Sequence, residues 1–393
     1  MNLIEIKALD KSYFMNTFGE RLPVCFVNGK GIYLYDTEGN KYCDFFAGIA
    51  VSALGHGNEE LSTAIGEQAK KVLHTSCLYY IESQAKLAKE IVDSCCGDKV
   101  FFSNSGAEAN ECAIKLAKIY HYKKGDGKTD IITLKNSFHG RTLSTVAATG
   151  QEKYQKPYYP LVPGFSHVEI NDLEGFKAAV TPKTGAVIME LVQGESGVHP
   201  VDKEYVKAVY DYCKENDIIF IDDEIQTGIG RTGKMFAYEH FSIEPDIITM
   251  AKALGGGVPI GSVCAKDFVA AAFEPGDHGG TFGGNHLATT AALTTLSIIK
   301  RENLIENAKS VGNYIKEKLL SIDGVKEVRG LGLMLGAEIE APAKEFVSEM
   351  FKEKCLVGAV GTSTVRILPP LIITKDEADI LINTFENVMK KFR

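Results

Sequence analysis

No run of eighteen apolar residues occurs anywhere in the chain, so nothing in it reads as a membrane-spanning helix. Its first ten residues already mix Glu5, Lys7 and Asp10, leaving no apolar stretch of the kind a secretory signal needs. Basic residues are not in excess. The 43 Lys and Arg stand against 51 Asp and Glu, and the net charge of −8 argues against a protein that tracks a nucleic-acid backbone. Nine cysteines run from Cys25 to Cys355 without a C-x-x-C pair, and nine scattered histidines contain no H-x-x-x-H. That usage fits free thiols in a reducing cytoplasm rather than a disulfide framework or a zinc site, so no metal is expected. Internal repeats, low-complexity tracts and a clear interdomain linker are also missing.

What is present is a globular composition, 393 residues with 45% hydrophobic and 24% charged, long enough for two domains. Residues 29–42 alternate aromatic and apolar side chains around a Glu38-Gly39-Asn40 turn and predict a β-hairpin. A helical pattern runs from about Glu59 to Ser94. Apolar runs then alternate with helical stretches, the strands being expected at Val100 to Ser103, Asp130 to Leu134, Ala186 to Leu191, Ile218 to Asp222, Ile247 to Met250 and Ser262 to Ala265. Such continuous apolar strands imply an α/β fold with a mostly parallel sheet covered by helices, whose sites collect at the carboxyl ends of the strands. One long helix, Leu287 to about Leu320, is expected to lead into a smaller α+β domain. That domain would hold strands at Val325 to Val328, Leu333 to Glu338 and Val365 to Leu368, with a helix from Ala343 to about Lys354. The expected units are residues 1–55 packing with the small domain, 56–285 forming the large domain and 286–393 the small one.

Several strand ends carry chemistry. Lys252 closes one apolar run and is followed by three glycines after Leu254, while Asp222-Asp223-Glu224 closes another. A lysine and a carboxylate at neighbouring strand ends suggest a Schiff-base cofactor. Ser105-Gly106-Ala107 opens a helix whose free N–H groups and dipole suit a phosphate, although an ordinary serine cap explains the serine equally well. Phe138 and Arg141, in Phe138-His139-Gly140-Arg141-Thr142, could stack on a flat cofactor and hold a carboxylate, against the plainer reading of an exposed loop arginine. Glu195 follows another strand and could meet a cation or cap a turn. Gly228-Ile229-Gly230-Arg231-Thr232-Gly233 matches G-x-G-x-x-G, but it lies too far from its strand and lacks the following helix, so it is read as a loop rather than a dinucleotide site. A lysine for an aldehyde, a carboxylate for a pyridine nitrogen and a phosphate cup together suit pyridoxal 5′-phosphate.

With these residues in view the chain resembles the class III pyridoxal-phosphate aminotransferases, a fold-type I group, and among them the acetylornithine aminotransferases. The resemblance runs from about Tyr13 to the C-terminus. Beside the stretches already quoted it rests on Gly48 to His56, Asp223 to Gly228, Ala251 to Gly257, Thr281-Phe282-Gly283-Gly284-Asn285 and Val365 to Pro370. It implies that Lys252 binds the cofactor aldehyde, that Asp223 meets the pyridine nitrogen and that Gln226 reaches the ring hydroxyl. Ile225 and Phe138 would cover the two ring faces, Ser105, Gly106 and Ala107 would take the phosphate, and Glu224 is counted with this cofactor-binding set. Thr281 would serve the other subunit of a homodimer. Arg141 would bind the carboxylate of N-acetylornithine and Arg366 the α-carboxylate of 2-oxoglutarate or glutamate, with Glu195 pairing with Arg366 in one stage only and Gly280 near the substrate. Ala107 and Gly280 stand where hydroxyl residues are frequent. The close rivals are succinyldiaminopimelate, ornithine and 4-aminobutyrate aminotransferases; a nicotinamide-dependent oxidoreductase and a non-catalytic scaffold are more distant ones.

Overall fold

The computed structural model describes all 393 residues. Seven strands form the central sheet: β1 (Lys99–Ser103), β2 (Asp130–Leu134), β3 (Phe165–Val168), β4 (Thr184–Met189), β5 (Ile219–Asp223), β6 (Ile247–Met250) and β7 (Gly261–Ala265). Their spatial order is β1-β7-β6-β5-β4-β2-β3, and every pairing is parallel except the two made by β7. The apolar strands are continuous because both faces are covered. Ile219 and Ile221 of β5 pack with Ala109, Ala113 and Leu116 of the helix Gly106–Lys124, whereas Phe220 between them joins Val206 and Val209 of the helix Lys203–Glu215. Alternate side chains thus enter separate cores, as the period of two requires.

Two expected helices are each broken in two. The pattern from Glu59 to Ser94 divides into Glu59–Lys71 and Glu82–Val92, and the intervening segment leaves Leu78, Tyr79 and Tyr80 exposed. The long helix beyond Asn285 divides into His286–Arg301 and Leu304–Leu320, because Asn303 takes a left-handed φ of 53° that ends the first ladder and starts the second. Strand β3 and the helix Leu3–Tyr13 are additional to the sequence reading.

The predicted hairpin is present as Tyr33–Asp36 against Lys41–Asp44, and the latter strand also pairs in parallel with Cys355–Leu356 near the other end of the chain. A four-stranded antiparallel sheet follows the paired helices, ordered Val325–Leu331, Met334–Ile339, Thr364–Ile367 and Gly358–Val360. No helix is long and apolar enough to cross a membrane.

Candidate active site

A cavity of about 410 Å³ opens at the carboxyl ends of β1, β4, β5 and β6, where the sequence places its charged residues. Lys252 follows β6 and faces this space from a short turn, with a left-handed φ of 39°. Burial of its amine pushes the pKa down to about 8, against the opposing pull of Glu195.

Asp223 ends β5 and is almost wholly enclosed. Its Oδ2 accepts Asn110 Nδ2 at 2.8 Å and lies 2.7 Å from His139 Nδ1, while Oδ1 accepts the Ile225 N–H at 3.1 Å. Asn110 is itself fixed, donating to the His139 carbonyl and accepting from Thr249 Oγ1. These bonds hold the carboxylate against rotation.

The neighbouring acids point elsewhere. Asp222 and Glu224 are both buried off the cavity, and Glu224 accepts from Thr227 Oγ1 and from the Tyr238 N–H. Burial pushes Glu224 up to about 7 and Asp222 well above its ordinary value, Glu224 adding to the latter shift. The expectation that Glu224 contacts the cofactor is therefore corrected. Adjacent strand residues face opposite sides, so only the middle acid of the three reaches the site.

The other parts assemble around this pair. Ser105 caps the helix Gly106–Lys124 by accepting the Glu108 N–H at 3.2 Å, and Ser105, Gly106 and Ala107 line the cavity at that helix N-terminus. A Cβ on Gly106 would sit 2.8 Å from Ile225, so only glycine lets the turn approach the strand end so closely. Phe138, Ile225 and Gln226 also line the space, and the buried Gln226 Oε1 has no partner within the chain. An amine, an enclosed carboxylate, an N–H cup and an orphaned acceptor fit pyridoxal phosphate group by group.

Two arginines differ in state. Arg141 lines the cavity with no ion-pair partner in the chain, its guanidinium 4.0 Å from the ring centre of Tyr154. Arg366 is buried and paired with Glu195 at 2.6 Å, and it also donates to the Gly194 carbonyl at 3.1 Å. Burial raises the Glu195 pKa, but the Arg366 guanidinium outweighs it and holds the carboxyl below its ordinary range. Gly280 and Thr281 do not line the cavity; both are exposed.

Sequence reasoning gave no role to Asn110, His139, Tyr154 or Glu190. His139 stood inside a motif quoted for its neighbours and Asn110 lies three residues beyond Ala107, and that proximity was the available signal. Tyr154 offered none, since its place follows from the fold of the segment after Arg141.

The chain belongs to the class-III aminotransferase family, whose model matches residues 14–389, and the cofactor of that family is pyridoxal 5′-phosphate. It is accordingly a pyridoxal-phosphate-dependent aminotransferase, acting on an amino donor and a keto acid. Among its relatives are proteins named acetylornithine aminotransferase. That of Methanocaldococcus jannaschii is 49% identical over 392 residues, with 98% of each chain covered. That of Caldanaerobacter subterraneus subsp. tengcongensis is 47% identical over 390 residues, covering 98% of this chain and 99% of the relative. In three dimensions the chain is similar to the ornithine aminotransferase of Toxoplasma gondii, with a TM-score of 0.94, 28% identity, and coverage of 100% of this chain and 96% of that one. The acetylornithine aminotransferase of Elizabethkingia anophelis gives a TM-score of 0.88 at 30% identity, both chains fully covered.

Proposed function

We propose that this aminotransferase moves the distal amino group of N-acetylornithine to 2-oxoglutarate, giving N-acetylglutamate 5-semialdehyde and glutamate. The observation that carries this reading is the contrast between a free arginine, Arg141, that lines the cavity and a latched one, Arg366, held behind the cavity wall by the lining residue Glu195. The amino donor presents one carboxylate, which Arg141 takes. The keto acid presents two, and its second requires Arg366, from which Glu195 must withdraw. Forked guanidinium bonds orient both substrates.

When bound, pyridoxal phosphate supplies an electron sink for the carbon that bears nitrogen. Lys252 would hold the aldehyde, and the burial that brings its amine to a pKa of about 8 suits it to take up and return a proton. Asp223, fixed by Asn110 and His139, would meet the pyridine nitrogen. Gln226 would face the ring hydroxyl, Phe138 and Ile225 would cover the ring, and the N–H groups of the Ser105 to Ala107 turn would receive the phosphate. The enzyme works as a homodimer in which Thr281 serves the phosphate of the partner's site and Gly280 lies beside the substrate there.

A half-reaction screen tests the substrate. N-acetylornithine is expected to bleach the visible absorbance of the lysine-bound cofactor faster than ornithine, 4-aminobutyrate or succinyldiaminopimelate, and a faster rival would overturn the assignment. In parallel, Arg141→Ala should raise KM for the amino donor and Arg366→Ala that for 2-oxoglutarate. Identical profiles would refute the division of labour.

A further inference from the structure

Glu190 follows β4, is buried and faces the catalytic cavity, yet it forms no ion pair. Its two oxygens are taken by main-chain donors from two separate loops. Oε1 accepts the Phe138 N–H at 2.8 Å and Oε2 the Gly194 N–H at 3.2 Å. Gly194 is held on its other sides as well. Its carbonyl accepts Arg366 Nη1 at 3.1 Å, and a Cβ on it would lie 2.3 Å from Gln226 Oε1. The next residue is Glu195, the latch on Arg366.

A buried carboxylate stripped of water is tolerated only while its acceptors are bonded, so the positions of these two loops are tied to one side chain. Burial, with Asp223 adding to it, holds Glu190 up at about 7 even though His139 and the two N–H donors pull the other way. We propose that Glu190 is a positioning residue that sets the Gly194-Glu195 turn, and thereby the seat at which Arg366 receives the second carboxylate of the keto acid. This inference rests on the reading of Arg366 given above. Glu190 touches the reacting atoms through none of its bonds; it acts through Gly194.

The amide in Glu190→Gln keeps one acceptor and loses the other. Its oxygen should hold the shorter bond to Phe138 and leave the Gly194 N–H unmet. Steady-state kinetics of the holoenzyme should then show KM for 2-oxoglutarate raised about tenfold, the equivalent of one lost charge-assisted hydrogen bond. KM for N-acetylornithine should move less than about twofold, with cofactor content unchanged. Glu190→Asp restores both oxygens at a shorter reach and should recover part of the loss; it also serves if the glutamine variant does not fold. Equal effects on both substrates, or none on 2-oxoglutarate, would overturn the proposal. Arg366→Ala separates the two readings. If that variant loses 2-oxoglutarate and Glu190→Gln does not, the positioning role alone fails; if Arg366→Ala leaves 2-oxoglutarate unaffected, both fall.

Discussion

Lys252 combines two unusual properties, a left-handed backbone and an amine whose burial holds its pKa near 8. Strained backbone at a functional residue persists only where its surroundings dictate it, and here β6 on one side and the glycines on the other do so. Replacing it by alanine should abolish both the visible absorbance of the bound cofactor and turnover; a yellow, active variant would refute its role. The pKa sets a second expectation. The amine attacks an aldehyde only when neutral, so uptake of pyridoxal phosphate by the apoenzyme should quicken as pH rises towards about 8 and level off above it. Stopped-flow absorbance measures this directly, and a rate independent of pH from about two units below that pKa to about one above it would contradict the assignment. Lys252 and the Asp222-Asp223-Glu224 cluster were legible in the sequence because charge at the end of an apolar strand is conspicuous, and only the resemblance chose Asp223 among the three. Glu224 came with that same resemblance, and the alternation of strand side chains turns it off the cavity, whereas Asn110 and Tyr154 take their places only through tertiary packing.

At the scale of elements, the G-x-G-x-x-G segment shows what a permissive motif can conceal. Its arginine, Arg231, binds no phosphate. It is fully buried and donates from Nη1 to the carbonyls of Leu333 and Pro369, pinning the loop after β5 to the C-terminal sheet. Burial, with no acid nearby, pushes the guanidinium pKa down to about 9. Replacing Arg231 with methionine keeps the volume but leaves both carbonyls without that donor, and should cost about 2 kcal/mol in urea unfolding. An unchanged midpoint would refute the pinning role. The central strands other than β3 were legible to within a residue or two because two-sided burial writes a continuous apolar run, whereas β3, at the sheet edge with a polar Ser166 and His167, writes none. Helix breaks were not: Asn303 interrupts one apolar stripe without a proline or glycine to mark it, and the segment at residues 72–81 carries apolar residues that the chain itself leaves exposed.

Those exposed groups matter for the whole molecule. Tyr79, Tyr80 and Phe282 are 67%, 108% and 59% exposed, an apolar surface of a kind that monomers seldom present. Phe282 adjoins Thr281, so the residue proposed to serve a partner's phosphate lies on the surface proposed to meet that partner. Sedimentation of the wild-type protein should give the mass of two chains, and Phe282→Asp should yield single chains that lose pyridoxal phosphate on dialysis. A wild-type monomer that retained its cofactor would refute the shared site.

The one strand that runs against the others has a final consequence. Because β7 lies antiparallel between β1 and β6, those two strands run the same way, and the phosphate seat after β1 opens on the same edge as Lys252, its turn reaching across to Ile225 beyond Asp223. Hydrogen-bonded strands cannot slide independently, so the lysine, the acid and the seat are fixed relative to one another. A vitamer without its phosphate would satisfy the lysine and the acid but leave the third fixed point unused, so selection between pyridoxal and its phosphate ester would fall to the helix N-terminus.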